Sequence, residues 1–327
     1  MTTWQDAWPP TELETLAHCP LCGGAHAVLA AANVRDFAFK SAPGAWDYWR
    51  CANCQGLFLK VRPTFAHIGK AYSSYYTHSN AAAPGLASKF KTRLRHEAWA
   101  IGYQASIEPR LHLPAFLHKL AARLAKRAYP GFIISALATL PRGKLLDVGA
   151  GNGRYLGIAE QQGFAAQGID PDPAAVAAMR GLGLNASVGG FESLAELPAD
   201  FDVVVASHVL EHAHSPMPAL QALLQRLKPG GALLLALPNA QSPVFDAFGV
   251  HWRGLEAPRH IAIPARDFLL TWLQSQGHAA SEAPIRRAYT WAESAAIAAE
   301  NSATAPTQLP SLLVQPDITE LVAIRRK

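Results

Sequence analysis

Leu145-Leu146-Asp147-Val148-Gly149-Ala150-Gly151-Asn152-Gly153-Arg154 is the stretch on which the fold of this 327-residue chain turns. A short apolar run enters a glycine-rich turn and a helical pattern follows, the order of a buried strand leading into a ligand-approaching loop. A dinucleotide-binding G-x-G-x-x-G would need glycine where Arg154 stands, and the third glycine here comes one residue early, at Gly153, so hydride chemistry loses ground. About 20 residues on, Gly168-Ile169-Asp170-Pro171-Asp172 ends a second apolar run with a carboxylate able to accept both hydroxyls of a ribose.

From Gly143 onward, short apolar runs alternate with Ala- and Leu-rich helical stretches, which predicts an α/β fold with a doubly wound parallel sheet. Strands are expected at Lys144 to Val148, Ala165 to Ile169, Phe201 to Ala206, Ala232 to Leu237 and Glu320 to Arg325. Ser302 to Pro316, with three prolines, reads as a loop before the last strand. Three segments result: 1–62, which holds every cysteine; 63–142, a helical linker or lid; and 143–327. In the middle segment Leu117, Leu120, Ala121, Leu124 and Ala128 recur at helical spacing, with Lys119, Arg123, Lys126 and Arg127 off that stripe. Packing is the default for this basic amphipathic stretch, and peripheral contact with anionic lipid or RNA is the alternative.

Half the residues are hydrophobic and 16% are charged, so the chain is not of the disordered class. The longest apolar runs, Gly131 to Leu140 and Gly231 to Leu237, fall far short of a membrane span. Met1-Thr2-Thr3-Trp4-Gln5-Asp6 has neither a basic nor an apolar leader region, and a cytoplasmic location is the expectation. A net charge of +5 permits an anionic partner without demanding one.

Cys19-Pro20-Leu21-Cys22-Gly23 and Cys51-Ala52-Asn53-Cys54-Gln55-Gly56 are two Cys-x2-Cys knuckles. Each points two sulfurs at one ion, and together Cys19, Cys22, Cys51 and Cys54 complete a zinc tetrahedron. Four thiolates leave no open coordination position, so the ion is a staple in a zinc ribbon. Gly23 and Gly56 suit the left-handed geometry of such turns. The alternative, a pair of disulfides, is disfavoured in the cytosol.

At this point the sequence resembles the class I S-adenosylmethionine-dependent methyltransferases, over roughly residues 143 to 327. Phe201 to His212 looks like that family's fourth strand and its Leu-Glu-His turn, and Leu227-Lys228-Pro229-Gly230-Gly231 like its turn into the fifth strand. Trp252-Arg253-Gly254-Leu255-Glu256-Ala257-Pro258-Arg259-His260, with the knuckles, is similar to bacterial members that carry an N-terminal zinc-binding region and modify sugars, natural products or other small molecules. The resemblance implies a Rossmann-like methyltransferase sheet with S-adenosylmethionine as cofactor. Asp147, Gly149, Ala150, Gly151 and Gly153 would surround its methionine end, Asp170 and Pro171 its ribose, Phe191 its adenine, with Ser207 at the end of the fourth strand. The acid that many relatives carry after the third strand is replaced by Gly190-Phe191, leaving Glu192 as the nearest carboxylate.

Methyl transfer needs the acceptor held in line and, for a hydroxyl or amine, its proton removed. His208, Glu211 and His212 at i, i+3 and i+4 would share one face of a helical turn, and His212 is the first choice of base, with His208 and His260 behind it. The bland alternative is that Glu211 and His212 only shape the pocket. Some metal-assisted quinone O-methyltransferases carry Glu-x-x-Glu-His on this turn; His208 in place of the first glutamate speaks against magnesium, which prefers oxygen. Arg253 and Arg259, in a segment with Trp252 and His260, would bind a carboxylate or phosphate of the acceptor, the alternative being a surface loop pinned by ordinary salt bridges; Tyr72, Tyr75 and Tyr76 would cap the acceptor pocket, the alternative being a core role. The leading expectation is a methyltransferase acting on a small-molecule acceptor, with sugar- or nucleotide-linked compounds and natural-product intermediates as the candidate classes. An RNA methyltransferase is the rival, disfavoured because neither knuckle carries a basic run with interleaved aromatics. A cofactor-binding protein without catalysis is the third.

Overall fold

The computed structural model describes residues 3–72, 86–105, 107–118, 131–282, 290–301, 303 and 316–325. Its strands are β1 (Leu13–Thr15), β2 (Ala27–Val34), β3 (Trp46–Cys51), β4 (Leu57–Leu59), β5 (Val61–Pro63), β6 (Lys144–Val148), β7 (Ala165–Asp170), β8 (Ala186–Val188), β9 (Phe201–Ser207), β10 (Leu227–Pro238), β11 (Ala262–Ile263), β12 (Ala279–Glu282) and β13 (Ile318–Ile324). The α-helices are α1 (Leu86–Tyr103), α2 (Phe132–Thr139), α3 (Arg154–Gln161), α4 (Pro173–Gly181), α5 (Pro216–Arg226), α6 (Pro243–Phe248), α7 (Arg266–Ser275) and α8 (Trp291–Glu300).

β6 is buried from its second residue to its last and β9 over most of its length, as parallel strands covered on both faces are. Both belong to a seven-stranded sheet with the order β12-β13-β10-β9-β6-β7-β8. β6 runs parallel to β7, with Asp147 opposite Gly168, and parallel to β9, with Asp147 opposite Val205. β7 and β8 are also parallel. Such pairs need a crossover, and α3 and α4 supply it between β6, β7 and β8. The chain leaves β6 toward β7 on one side and later places β9 on the other. Open α/β sheets hold ligands at a reversal of this kind. β13 runs antiparallel to β10, since the N–H of Gly230 donates to the carbonyl of Arg325 while that of Asn239 donates to the carbonyl of Asp317.

All five expected strands are present. β10 starts earlier than expected, at Leu227, and takes in the Lys228-Pro229-Gly230-Gly231 stretch read as a turn. β8, β11 and β12 have three, two and four residues, too few for a periodicity to show. The basic stretch from Lys119 to Arg127 lies outside the described residues, as does nearly all of 302–316. No helix of the described residues is long and apolar enough to cross a membrane.

The chain divides into two compact units. One consists of Thr77–Ala206, Leu223–Leu234 and Ile324–Lys327. In it Trp99 of α1, Ile134 of α2 and Ile158 of α3 pack into one apolar cluster with Ile107. The other consists of Met1–Tyr76, Ser207–Ala222 and Leu235–Ala323. It contains the four-stranded sheet β11-β4-β3-β2, in which β11, late in the chain, pairs with the much earlier β4. Trp46, Tyr48, Leu57 and Leu59 from its early strands pack with Phe245, Trp252, Ile261 and Ile263.

Candidate functional site

Beyond β6 the chain turns through Gly149, Gly151 and Gly153, all left-handed at φ +68°, +55° and +72°, a conformation L side chains resist. The N–H groups of Gly149 and Ala150 donate to the carbonyl of Ile169 at 2.9 and 3.0 Å. The N–H of Gly151 donates to Asp170 Oδ2 at 2.8 Å and that of Asp172 to Asp170 Oδ1 at 2.9 Å. Asp170 therefore clamps the loop, and each of its oxygens keeps a further lone pair. A Cβ placed on Gly151 would meet nothing closer than 4.0 Å, so the loop leaves room there.

Asp147, at the end of β6, is buried, and its Oδ2 has no hydrogen-bond partner. Burial, then the charge of Asp170, pushes its carboxyl up to about 7. A buried carboxylate with an open oxygen is costly unless a cationic group meets it. Asp147, Gly149, Ala150, Gly151, Gly153 and Asp170 thus form one constellation. Pro171 follows it and precedes Asp172, which caps α4 by accepting from the N–H of Ala174. Gly189, after β8, donates to the carbonyl of Asp170, and half-buried Phe191 opens the turn that follows.

A second constellation lies entirely in the other unit. Ser207 ends β9, and His208 is left-handed at φ +57° while its N–H bonds to the carbonyl of Ala236. The single α-helical turn expected over 208–212 is therefore a three-residue 3-10 turn, Leu210–His212, with His208 outside it. Histidine and carboxylate still meet. His208 Nδ1 lies 3.3 Å from Oε1 of Glu211, which is fully buried. His260 Nε2 lies 3.8 Å from the same oxygen. Neither contact meets hydrogen-bond geometry, and both Glu211 oxygens stay without a hydrogen bond.

Burial alone would raise Glu211, but the surrounding histidines outweigh it and hold its pKa below the usual range. Desolvation would lower His208; the Glu211 carboxylate outweighs that and its pKa is raised. Burial takes His260 down to about 4. His212 Nδ1 sits 3.0 Å from the carbonyl of Arg259 and 3.0 Å from the Tyr72 hydroxyl. Since a carbonyl only accepts, Nδ1 carries the proton, and Nε2 is the basic nitrogen of the neutral ring. His208, with half of its side chain exposed, is the more accessible imidazole.

The residues proposed from sequence to grip an anionic acceptor are otherwise employed. Arg259 is fully buried, with NH2 on Asp36 at 2.6 Å, NH1 on the carbonyl of Ala71 at 2.9 Å and Nε on Glu256 at 3.2 Å. It is an internal clamp, not an open fork. Trp252 is buried too, its Nε1 donating to Thr290 Oγ1 at 2.9 Å and Asp317 Oδ1 at 3.2 Å. Arg253 pairs with Glu256 and lies over the Phe39 ring. Tyr75 and Tyr76 lie outside the described residues. Sequence reading gave Tyr72 no contact with a histidine; 140 residues separate it from His212, and no local signal joins them.

The four cysteines come together, all sulfurs within 4.8 Å of one another, with Cys19–Cys54 at 3.7 Å and Cys22–Cys51 at 3.5 Å. A disulfide would need about 2 Å; four sulfurs about 2.3 Å from a central ion would stand about 3.8 Å apart, so the set fits tetrahedral thiolate coordination. The two knuckles match, Gly23 donating to the carbonyl of Cys19 and Gln55 to that of Cys51. The left-handed residue of the second knuckle is Gln55, not Gly56 as expected. At Gly56 a Cβ would lie 2.2 Å from Leu21 Cδ1, so a larger residue there would displace the Leu21 side chain.

A family model described as a methyltransferase domain matches residues 107–282. A ubiquinone biosynthesis O-methyltransferase of Xanthomonas campestris is 34% identical over 119 residues, 34% of this chain and 50% of that protein. A tRNA U34 carboxymethyltransferase of Desulfotalea psychrophila is 29% identical over 145 residues, 42% of this chain and 45% of that protein. The chain spans about half the length of these curated relatives. Among solved structures, the YcgJ protein of Bacillus subtilis is 18% identical with a TM-score of 0.45, covering 60% of this chain and 98% of that one.

Proposed function

The chain belongs to the methyltransferase-domain family, and on that premise we propose that it methylates a hydroxyl oxygen of a small-molecule acceptor, using S-adenosylmethionine. The observation that carries the reading is Asp147: a buried carboxylate with an unpartnered oxygen, beside three left-handed glycines with open space at Gly151. This arrangement fits the cationic methionine end of the cofactor, and the free lone pairs of Asp170 fit the ribose hydroxyls. When bound, the cofactor supplies an electrophilic methyl group on a positively charged sulfur.

The chain's own part is to hold the acceptor and take its proton. His208 directly follows Ser207, the last residue of β9. With Nδ1 3.3 Å from Glu211 and half of its side chain exposed, His208 presents Nε2 as the proton acceptor, and the charge of the Glu211 carboxylate favours the imidazolium that forms. This choice differs from the first expectation, His212, which is partly buried where His208 is exposed. An oxygen acceptor is supported by the O-methyltransferase relatives. The four cysteines would hold one structural zinc ion.

Incubation with methyl-labelled S-adenosylmethionine and a cell extract, then separation into small-molecule, lipid, RNA and protein fractions, tests the proposal. Label in the small-molecule fraction supports it; label in RNA would give the activity to the rival reading, and no cofactor binding by calorimetry would end both.

A further inference from the structure

We propose that the first half of α1 and the 3-10 turn Ala115–Leu117 form a surface that docks on a lipid bilayer rich in anionic headgroups. The surface lies wholly within the unit that holds the glycine turn, and the inference does not rest on the methyl-transfer reading.

α1 has two unlike halves. From Glu97 on it is packed: Glu97, Ala98 and Trp99 are buried, and Glu97 accepts from the N–H groups of His112 and Leu113 at 2.8 and 2.9 Å. The first two turns stand out, with Leu86, Ala87, Lys89, Phe90, Lys91 and Arg93 all exposed. Leu86, Phe90 and Leu94 recur at i, i+4 and i+8 and make one apolar stripe, with Lys89 and Arg93 along one flank and Lys91 on the other. Leu86 is 87% exposed and Phe90 58%, whereas a helix ordinarily gains its stability by burying such a stripe against its own protein.

The charges are not placed to stabilise the helix. Its first turn has no acid and its last turn no base, although the macrodipole favours acids at the start and cations at the end. Residues 86–96 carry four Lys or Arg and no Asp or Glu, and from 77 to 142 the sequence has ten Lys or Arg against two acids. The whole chain is only +5, so the remainder is net acidic. Positive charge is gathered on this segment, around the bare apolar stripe.

A second apolar tip is tied to the same helix. His96 Nδ1 lies 3.1 Å from the carbonyl of Pro109, which together with the Glu97 bonds fixes residues 109–113 to α1. Three residues beyond Leu113, Phe116 is 81% exposed, and Leu117 beside it is exposed too. Apolar side chains bare in water among Lys and Arg match the interface of an anionic membrane. The rings and isobutyl groups enter the boundary between headgroups and acyl chains, while the long basic stems keep their charges at the headgroups. RNA would attract the cations, but its phosphates and stacking bases give Leu86 and Leu117 nothing to bury against. A second copy of the chain would bring the same positive charge to the contact.

Co-sedimentation of the full chain with vesicles tests the surface, with equal parts phosphatidylcholine and phosphatidylglycerol in one set and phosphatidylcholine alone in the other. Binding at least about tenfold stronger to the anionic set is expected, and weaker at high salt. Phe90→Ser with Phe116→Ser, and separately Lys89→Gln with Lys91→Gln and Arg93→Gln, should each weaken it at least about tenfold. All of these side chains are exposed, so the melting temperature should stay that of wild type. Lys40→Gln with Lys144→Gln and Lys228→Gln removes as much charge at other exposed positions and should change binding by less than about twofold. Equal binding to both vesicle sets, unchanged binding in the Phe90 and Phe116 variant, or an equal loss in the Lys40 set overturns the surface. So does retention of RNA without retention of anionic vesicles, or a dimer in solution that Phe90→Ser dissociates.

Discussion

The guanidinium of Arg259 and the carboxylate of Asp36 meet at 2.6 Å with neither side chain exposed to solvent. The pair joins the first strand-rich segment to the loop before β11. Its carboxylate also accepts from the N–H groups of Phe39, Ser41 and Ala42. Removing one partner leaves the other charge buried. Asp36→Ala is expected to cost about 3 to 5 kcal/mol in chemical denaturation, whereas a cost under about 1 kcal/mol would mean that water reaches Arg259.

Asp147 gives a pH signature. Its carboxyl is raised from 3.8 to about 7 in the folded chain, so between those values the folded state binds more protons than the unfolded one. The group's contribution to stability is present below about pH 4 and is lost as pH rises through about 7. In cofactor-free protein, Asp147→Asn should therefore melt higher than wild type at pH 8 and equally at pH 4, with a ceiling of about 4 kcal/mol. Cofactor affinity should move the opposite way, rising in wild type as Asp147 ionises and falling sharply in the variant. Calorimetry at pH 6 and 8 reads this; pH-independent affinity would break the link between Asp147 and a cationic ligand.

Gly153 and Gly151 separate packing from binding. Both are left-handed, but a Cβ on Gly153 would lie 2.7 Å from Leu184 Cδ1 and 2.8 Å from Met179 Cγ, while one on Gly151 meets open space. Gly153→Ala should lower stability by about 1 to 3 kcal/mol more than Gly151→Ala. Gly151→Ala should weaken cofactor binding with the smaller loss of stability. Equal melting temperatures for the two variants would contradict the packing.

His208 is tested by Asn, which tolerates the left-handed backbone better than most residues. Turnover by His208→Asn should fall by about 10² to 10⁴ at saturating acceptor, with cofactor affinity nearly unchanged. Wild-type turnover would move the proton to another group, His212 first.

Zinc should be present at one ion per chain in the cysteine set and lost in Cys51→Ser, with a lower melting temperature measured beside metal analysis. Cys51 ends β3 opposite Ala27 of β2, so the loss should spread into that hairpin. A metal-free but fully stable chain would refute a structural role for the ion.

What the sequence made legible was local. The run from Leu145 to Arg154 and the acid at 170 carry strand, turn and clamp within one short stretch of chain, and each lies where the pattern put it. The cysteine knuckles were equally readable, although the left-handed residue of the second is Gln55. Long-range partners were not legible. Arg259 reads as an open fork until Asp36, 223 residues away, neutralises it. His208 reads as helical until its N–H is taken by Ala236 of β10, which holds it out of the turn. The two residues of β11 have no periodicity of their own and exist as a strand because β4 is there to receive them.

That small strand bears on how the chain can be taken apart. β11 is held to β4, the buried Tyr48 hydroxyl donates toward the carbonyls of Leu255 and His260, and Arg50 donates to the carbonyl of Ala240. The segment up to Pro63 is therefore no detachable appendage. A chimera exchanging only that leader between relatives would strip hydrogen-bond partners from the loop that bears His260. A working graft must carry the stretches 1–63 and 240–265 as one cassette from a single parent, although β6, β7, β8 and β9 all lie between its two pieces in sequence.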